Sequence, residues 1–334
     1  MDGFRIPVGS WVDAGVDWVR DNLSGVLDLV AVVVRFLVGG LSDVLLAAPI
    51  VVVIVVAAAL AWLLRSWKLA LGTVIGFALI LAMGQWVTAM QTLALVLVAT
   101  VVAVAISVPL GIWSARNPTV RAILKPVLDF MQTMPAFVYL IPAITFFSIG
   151  VVPGVVSTVI FALPPGVRLT ELGIRGVDSE TVEAGHAFGA TPGQILRGIQ
   201  LPLAMPTIMA GVNQVIMLAL SMAVVAGIVG ADGLGKEVVQ SISTVNLPKG
   251  VEAGLSVVIL AVYLDRLTAA LGNRADNRGS LLGVLARRRT ARSAAVVTAA
   301  APAAPHADPA STDAASEAER EQASPRRAPV SSGR

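Results

Sequence analysis

Seven apolar runs alternate with short polar stretches along the chain, at about 45–64, 69–88, 92–113, 128–149, 152–169, 207–229 and 253–271. Each is close to the roughly 20 residues a helix needs to cross a bilayer, so the pattern predicts an all-α polytopic membrane protein. Residues 11–38 are mixed instead. At about 100° per residue, Asp13, Asp17, Arg20, Asp21, Ser24, Asp28 and Arg35 share one stripe, and Trp, Val and Leu fill the rest. This predicts an amphipathic helix lying on the membrane surface. The competing assignment, an eighth span from Leu23 to Val38, places Asp28 and Arg35 in hydrocarbon at roughly 2.5–3.5 kcal/mol each.

The fourth and fifth runs are irregular. Pro135 and Pro142 interrupt the fourth, and Pro153, Pro164 and Pro165 flank or break the fifth. Each removes a backbone donor that lipid cannot replace, so these two runs are expected to face inward, toward protein or a wet cavity. Basic residues cluster in alternate loops: Arg65 and Lys68; Arg116, Arg121 and Lys125; Arg168, Arg175 and Arg197; and Arg274, Arg278 and Arg287 to Arg289 after the last run. The opposite loops, "GQWVTAMQ" and "SIGVVPG", carry neither Lys nor Arg, and residues 1–44 hold six Asp against three Arg. The positive-inside rule then puts the N-terminus outside and the C-terminus in the cytoplasm.

Composition agrees with a cell-membrane, multi-pass protein. Of 334 residues, 56% are hydrophobic and 13% charged, with a mean hydropathy of +0.82, against about 25% charged in soluble domains. The absence of Cys removes disulfides and thiolate chemistry, and two His leave little for a metal. Paired carboxylates, a Ser/His/Asp set and a cofactor loop are also missing, so neither a catalytic residue nor a bound cofactor is expected. "GADGLGKE", Gly230 to Glu237, imitates a phosphate-binding loop but has Glu237 where Ser or Thr must hold Mg²⁺. The topology also sets it outside, so its glycines are read as a tight turn bringing backbone close to neighbouring helices. Beyond about Arg287 the chain is rich in Ala, Pro, Ser and mixed charge and cannot bury a core. The expected organisation is an external segment 1–44, two peripheral spans over 45–88, a core of five spans over 89–272, and a basic tail over 273–334.

The most informative stretch is "GVDSETVEAGHAFGATPGQILRGIQLPLAMPTIMAG", Gly176 to Gly211. Asp178 or Ser179 can cap a short helix whose first turn holds Glu180 and Glu183, and Gly189 can end it in a left-handed cap. Thr191, Pro192 and Gln194 form a capping-box sequence for a second short helix through about Gln200, with Leu201 and Pro202 stopping it before the sixth run. Two capped helices between spans make a rigid cytoplasmic knob. Its apolar residues, Ala184, Ala187, Phe188, Ile195, Leu196 and Ile199, either pack on the same protein or dock a partner.

Glu183-Ala184-Gly185, then Gly189, then Ile199 to Pro202 resemble the E-A-A-x-x-x-G and I-x-L-P signature of ABC-importer permeases. "PLGIWSARNP", "LDFMQTMPAFVYLIP", "FALPPGVRLT" and "AGLSVVILAVYLDRLT" extend the likeness to the permease family of glycine betaine/proline uptake systems, over about residues 5–275. The resemblance implies the transmembrane domain of a type I ABC importer for an osmoprotectant, with two copies forming the pore. It further implies separate ATPase subunits that hold ATP-Mg and receive the knob, and an external substrate-binding protein. The coupling contact carries over to Glu183, Ala184, Gly185, Gly189, Ile199, Leu201 and Pro202. Gly185 departs from the signature's second Ala, and a mid-helix Gly costs about 1 kcal/mol.

Polar or polarizable groups within runs are candidates for the translocation path: Gln132, Thr133, Met134 and Tyr139 in the fourth, and Asn213, Gln214, Met217, Ser221 and Met222 in the sixth. Asn213 and Gln214 can equally be hydrogen-bonding glue between helices, and Tyr139 either offers its face to a cation or packs. Asp265 and Arg266 read as a structural ion pair, a headgroup contact or a gate. A choline, carnitine or histidine importer is the neighbouring alternative. A stand-alone secondary transporter is the rival from another class, but it calls for an ionisable residue deep in a span, and runs two to six show none in their middle.

Overall fold

A computed structural model describes residues 7–272. The chain runs through α1 (Val8–Asn22), α2 (Ser24–Ala47), α3 (Ile50–Leu64), α4 (Trp67–Ala82), α5 (Trp86–Arg116), α6 (Pro118–Thr133), a 3₁₀ turn (Ala136–Tyr139), α7 (Leu140–Phe147), α8 (Val151–Arg175), α9 (Ser179–Ala187), α10 (Pro192–Ile195), a π-helical turn (Leu196–Gln200), α11 (Leu201–Ala226), a 3₁₀ turn (Gly227–Val229), α12 (Leu234–Ser243) and α13 (Leu247–Gly272). Five helices among the described residues are long and apolar enough to cross a membrane: α2, α5, α8, α11 with the turns joined to it, and α13. A sixth span results if the bent pair Pro118–Thr133 and Ala136–Phe147 counts as one.

α8 lies at the centre, packed most extensively against α5 and α11. Small residues allow this closeness. A Cβ on Gly166 would lie 2.4 Å from Ser107 Oγ of α5, and one on Gly111 would lie 2.7 Å from the Val167 carbonyl oxygen. Lipid offers little hydrophobic gain for helix association, so close backbone approach and its dispersion contacts hold such seams. Pro164 and Pro165 are buried inside a continuous α8. The expected break does not occur, because surrounding helices shield the carbonyls deprived of their donors.

Several expectations are corrected. The single amphipathic helix over 11–38 is two helices that meet at Leu23, where Asn22 Nδ2 bonds the Trp18 carbonyl and ends the first. α2 then continues to Ala47, with Ala31, Val34, Val38 and Ser42 buried and Asp28, Arg35 and Asp43 exposed. Its apolar stripe packs chiefly on α5, and its 24 residues, with a mean hydropathy of 2.2 over the most apolar 18, give it spanning length. The runs at 45–64 and 69–88 shrink to α3 and α4, 15 and 16 residues long. At 1.5 Å per residue these cover about 22–24 Å, short of the roughly 30 Å hydrocarbon core. The fourth run is interrupted at Pro135 as expected, and the chain bends there by 109° between α6 and the segment after it. The residues after Gly272, with Arg274, Arg278 and Arg287 to Arg289, lie outside the described residues.

Candidate functional site

The knob forms largely as its caps dictate. Asp178 Oδ1 accepts from the Glu180 N–H at 3.1 Å and starts α9. Gly189, at φ +78°, ends it: the Ala190 N–H reaches back to the Gly185 carbonyl at 3.1 Å, a left-handed termination that suits Gly. Thr191 and Gln194 complete the capping box, with Gln194 Oε1 accepting from the Thr191 N–H at 2.7 Å and Thr191 Oγ1 from the Gln194 N–H at 3.4 Å.

The stop expected at Leu201 and Pro202 is absent. Pro192–Val229 is one helical run of 38 residues, carried past the proline by the π-helical turn, where the Leu201 N–H bonds the carbonyl five residues back at Leu196. A π turn absorbs the missing Pro202 donor without ending the helix. The second helix of the knob and α11 therefore form one continuous run, with α9 set off from it at Gly189.

The knob's apolar residues divide into a buried and an exposed group. Ile195 and Leu196 are buried, Leu196 beside Ile174 of α8 and Ala204 and Ile208 of α11. Glu183, Ala184, Ala187 and Phe188 face outward, and Phe188 is 92% exposed. Gly185 is buried in the crook, where an added Cβ would meet Ile199 Cδ1 at 2.8 Å. That methyl is the far end of a flexible side chain, so an Ala here needs only a small shift of Ile199. Glu183, Ala184, Gly185, Gly189, Ile199, Leu201 and Pro202 thus lie on one protrusion, with Ile199 and Leu201 half-buried and Pro202 exposed.

The translocation candidates do not act as one set. Gln214, Met217 and Ser221 are exposed along one stripe of α11, at i, i+3 and i+7. Asn213 turns the other way, donating from Nδ2 to Asp265 Oδ1 at 2.9 Å and accepting from Thr268 Oγ1 at 2.6 Å. It serves as glue between α11 and α13 within one chain. Arg266 Nε lies 3.8 Å from Asp265 Oδ2, a long contact between adjacent residues. Met222 is buried against Leu140 and Val229. Gln132 and Thr133 are exposed at the end of α6, and Met134 is half-buried. Tyr139 is buried, its ring 6.0 Å edge-on from Phe161 and its hydroxyl bonded to the Met131 carbonyl, so it closes the bend after α6.

Sequence reasoning missed the polar joints. Glu171 of α8 accepts from Ser114 Oγ at 2.7 Å and pairs with Arg121 Nε at 2.7 Å, tying α5, α8 and α6 together. Arg168 pairs with Asp129. After α11, Lys249 clips α12 to α13 through Glu237 at 2.5 Å and Gln240 at 3.0 Å. Asp232, by hydrogen bond and by charge, raises the Lys236 ammonium above the ordinary lysine range. α12 itself was legible as an amphipathic run, "LGKEVVQSIS", whose first four residues overlap the segment read as a glycine turn. The close approach expected of its glycines is present: a Cβ on Gly235 would stand 2.5 Å from the Ala223 carbonyl oxygen, and one on Gly233 2.5 Å from Thr92 Oγ1.

Residues 107–277 match the family described as binding-protein-dependent transport system inner membrane component. The chain belongs to this family. The match takes in the bent helix pair, α8, the knob, α11 and α13. The chain is 48% identical over 276 residues to the glycine betaine transport system permease protein OpuAB of Bacillus subtilis, covering 83% of this chain and 98% of that one. It is 48% identical over 275 residues to the glycine betaine/proline betaine transport system permease protein ProW of Escherichia coli, at 82% and 78% coverage, and 47% over 280 residues to the glycine betaine/carnitine transport permease protein GbuB of Listeria monocytogenes, at 81% and 98%. The inward-facing MetNI methionine ABC transporter superposes with a TM-score of 0.49 at 24% identity, over 57% of this chain and 93% of that one; the assignment does not rest on it. This membrane permease, with the all-helical fold expected of an ABC importer's transmembrane domain, is a transport protein rather than an enzyme.

Proposed function

We propose that the chain is the permease subunit of an ATP-driven importer for glycine betaine and proline betaine type solutes. The carrying observation is 48% identity to OpuAB across 98% of that protein's length. ATP-Mg binds on separate ATPase subunits, an external binding protein delivers the solute, and a second copy of this chain completes the pore. The knob supports this arrangement. It presents Glu183 and the exposed Phe188 to a partner while Ile195 and Leu196 anchor it to the core. Buried aromatic anchors dominate protein interfaces, and a 92% exposed Phe is such an anchor awaiting its pocket.

Closure of the ATPase dimer pushes the knob, and the unbroken run from Pro192 to Val229 carries the movement into the membrane, rocking the path between outward-open and inward-open states. Gln214, Met217 and Ser221, on the open stripe of α11, line the path or the seam with the second copy, together with Gln132 and Thr133. The knob lies in the cytoplasm and α12 outside, following the Lys and Arg distribution. GbuB's name includes carnitine, so solute range is tested by competition.

The test is co-reconstitution of the chain with its ATPase and binding protein in liposomes, with betaine-stimulated ATP hydrolysis as the signal. Glu183→Ala and Phe188→Ala are expected to lower stimulated hydrolysis at least tenfold while leaving the chain folded. Betaine uptake by the chain alone, without ATP, refutes the proposal in favour of a secondary transporter.

A further inference from the structure

Between α6 and α8 lies a cavity of about 280 Å³ lined by Arg121, Lys125, Arg168, Glu171 and Arg175, with Leu128 and Leu172. Glu171 engages Arg121 and Asp129 engages Arg168. Lys125 and Arg175 have no ion-pair partner among the described residues, so four cations face two carboxylates around one recess. Strong donors gathered beyond what the local acids can satisfy mark an anion site, and guanidinium forks suit phosphate oxygens.

The other flank of α6 identifies the source of that anion. Arg121, Lys125 and Asp129 follow one side of the helix at i+4 spacing, while Ile123, Val127 and Phe130 follow the opposite side, 62%, 48% and 65% exposed. The 109° bend after α6 sets this amphipathic helix roughly across the direction of α7. An apolar flank beside a cationic recess is the arrangement of a helix in a headgroup layer. Leu172, 60% exposed at the rim, extends the apolar side.

We infer that the recess between α6 and α8 binds a phosphate group, held by Lys125 and Arg175 with Arg121 and Arg168, and that this phosphate is the headgroup of an anionic phospholipid. The site is independent of the proposed transport function, since it needs neither the knob nor the stripe of α11.

The experiment is native mass spectrometry of the full chain from mixed phosphatidylglycerol and phosphatidylcholine micelles, with thermal shift against inorganic phosphate as a second arm. The wild type is expected to retain phosphatidylglycerol in preference to phosphatidylcholine. Lys125→Gln/Arg175→Gln is expected to weaken retention about 30-fold, corresponding to roughly 1 kcal/mol per removed cation. Arg65→Gln/Lys68→Gln removes equal charge at the α3–α4 turn and is expected to retain the lipid. Stabilisation by inorganic phosphate without lipid preference assigns the site to a soluble anion and overturns the headgroup. No preference in the wild type, or equal loss in both double variants, overturns the site itself, and the wild-type arm decides this even where a variant fails to fold.

Discussion

Gly227→Ala is expected to destabilise the chain through backbone collision alone. Its Cβ would stand 2.3 Å from the Gly235 carbonyl carbon and 2.5 Å from the Lys236 nitrogen, and neither atom can rotate away as a side chain can. Carbon atoms rest at about 3.5–4.0 Å, so the start of α12 must withdraw by more than about 1 Å. Gly235 faces the same seam from the other helix, since its own Cβ position lies 2.5 Å from the Ala223 carbonyl oxygen of α11. Withdrawal also strains the 2.8 Å bond from the buried Leu234 N–H to Thr92 Oγ1. Overpacking costs about 1–3 kcal/mol and the weakened bond about 1 kcal/mol, offset by less than about 1 kcal/mol of helix propensity. The net loss of about 2–3 kcal/mol corresponds to a melting temperature lower by roughly 5–10 °C for a domain of this size. The assay is thermal unfolding of the purified chain in detergent, with Gly254→Ala in α13 as control. A Cβ there meets nothing within 4 Å, so that variant is expected to equal or exceed the wild type. A Gly227→Ala chain melting within 1–2 °C of the wild type would falsify the close backbone approach.

Three further substitutions separate local from global effects. Thr92→Val leaves the buried Leu234 N–H without its acceptor, and the expected cost of about 1–3 kcal/mol is read in the same melting assay. Asn213→Leu removes both hydrogen bonds that join α11 to Asp265 and Thr268; about 1–2 kcal/mol of lost stability is expected in SDS titration, and an unchanged midpoint rejects the gluing role. Thr191→Ala deletes the capping box, costing about 1 kcal/mol locally, which hydrogen exchange shows as faster amide exchange over residues 192–195 with the global melting point unchanged.

The knob was legible because its determinants are local. Asp178, Gly189, Thr191 and Gln194 each act within a few residues, and each cap forms as expected. The π turn was not legible: whether Pro202 ends a helix or is absorbed by an i+5 bond depends on what holds the chain on both sides, here Ile174 of α8 against Leu196. Pro164 and Pro165 make the same point inside α8, and Pro135 makes the opposite one, since there the chain bends by 109°. Equal residues give unequal outcomes because neighbouring helices, not proline chemistry, decide whether the freed carbonyls are sheltered.

Asn213 and Gln214 show the same division within the candidate path. They are adjacent and chemically alike, yet one reaches Asp265 of α13 and the other stays exposed. The sequence by itself determined the class of protein, the caps of the knob and the need for glycine where backbones meet, because hydropathy, capping and the cost of a Cβ act over one helix turn or one bilayer thickness. Tertiary structure alone decided which prolines bend the chain, which polar groups face open space and which cations find acids, because each depends on residues such as Ser114, Arg121 and Glu171 that are distant in sequence and adjacent only once the helices have packed.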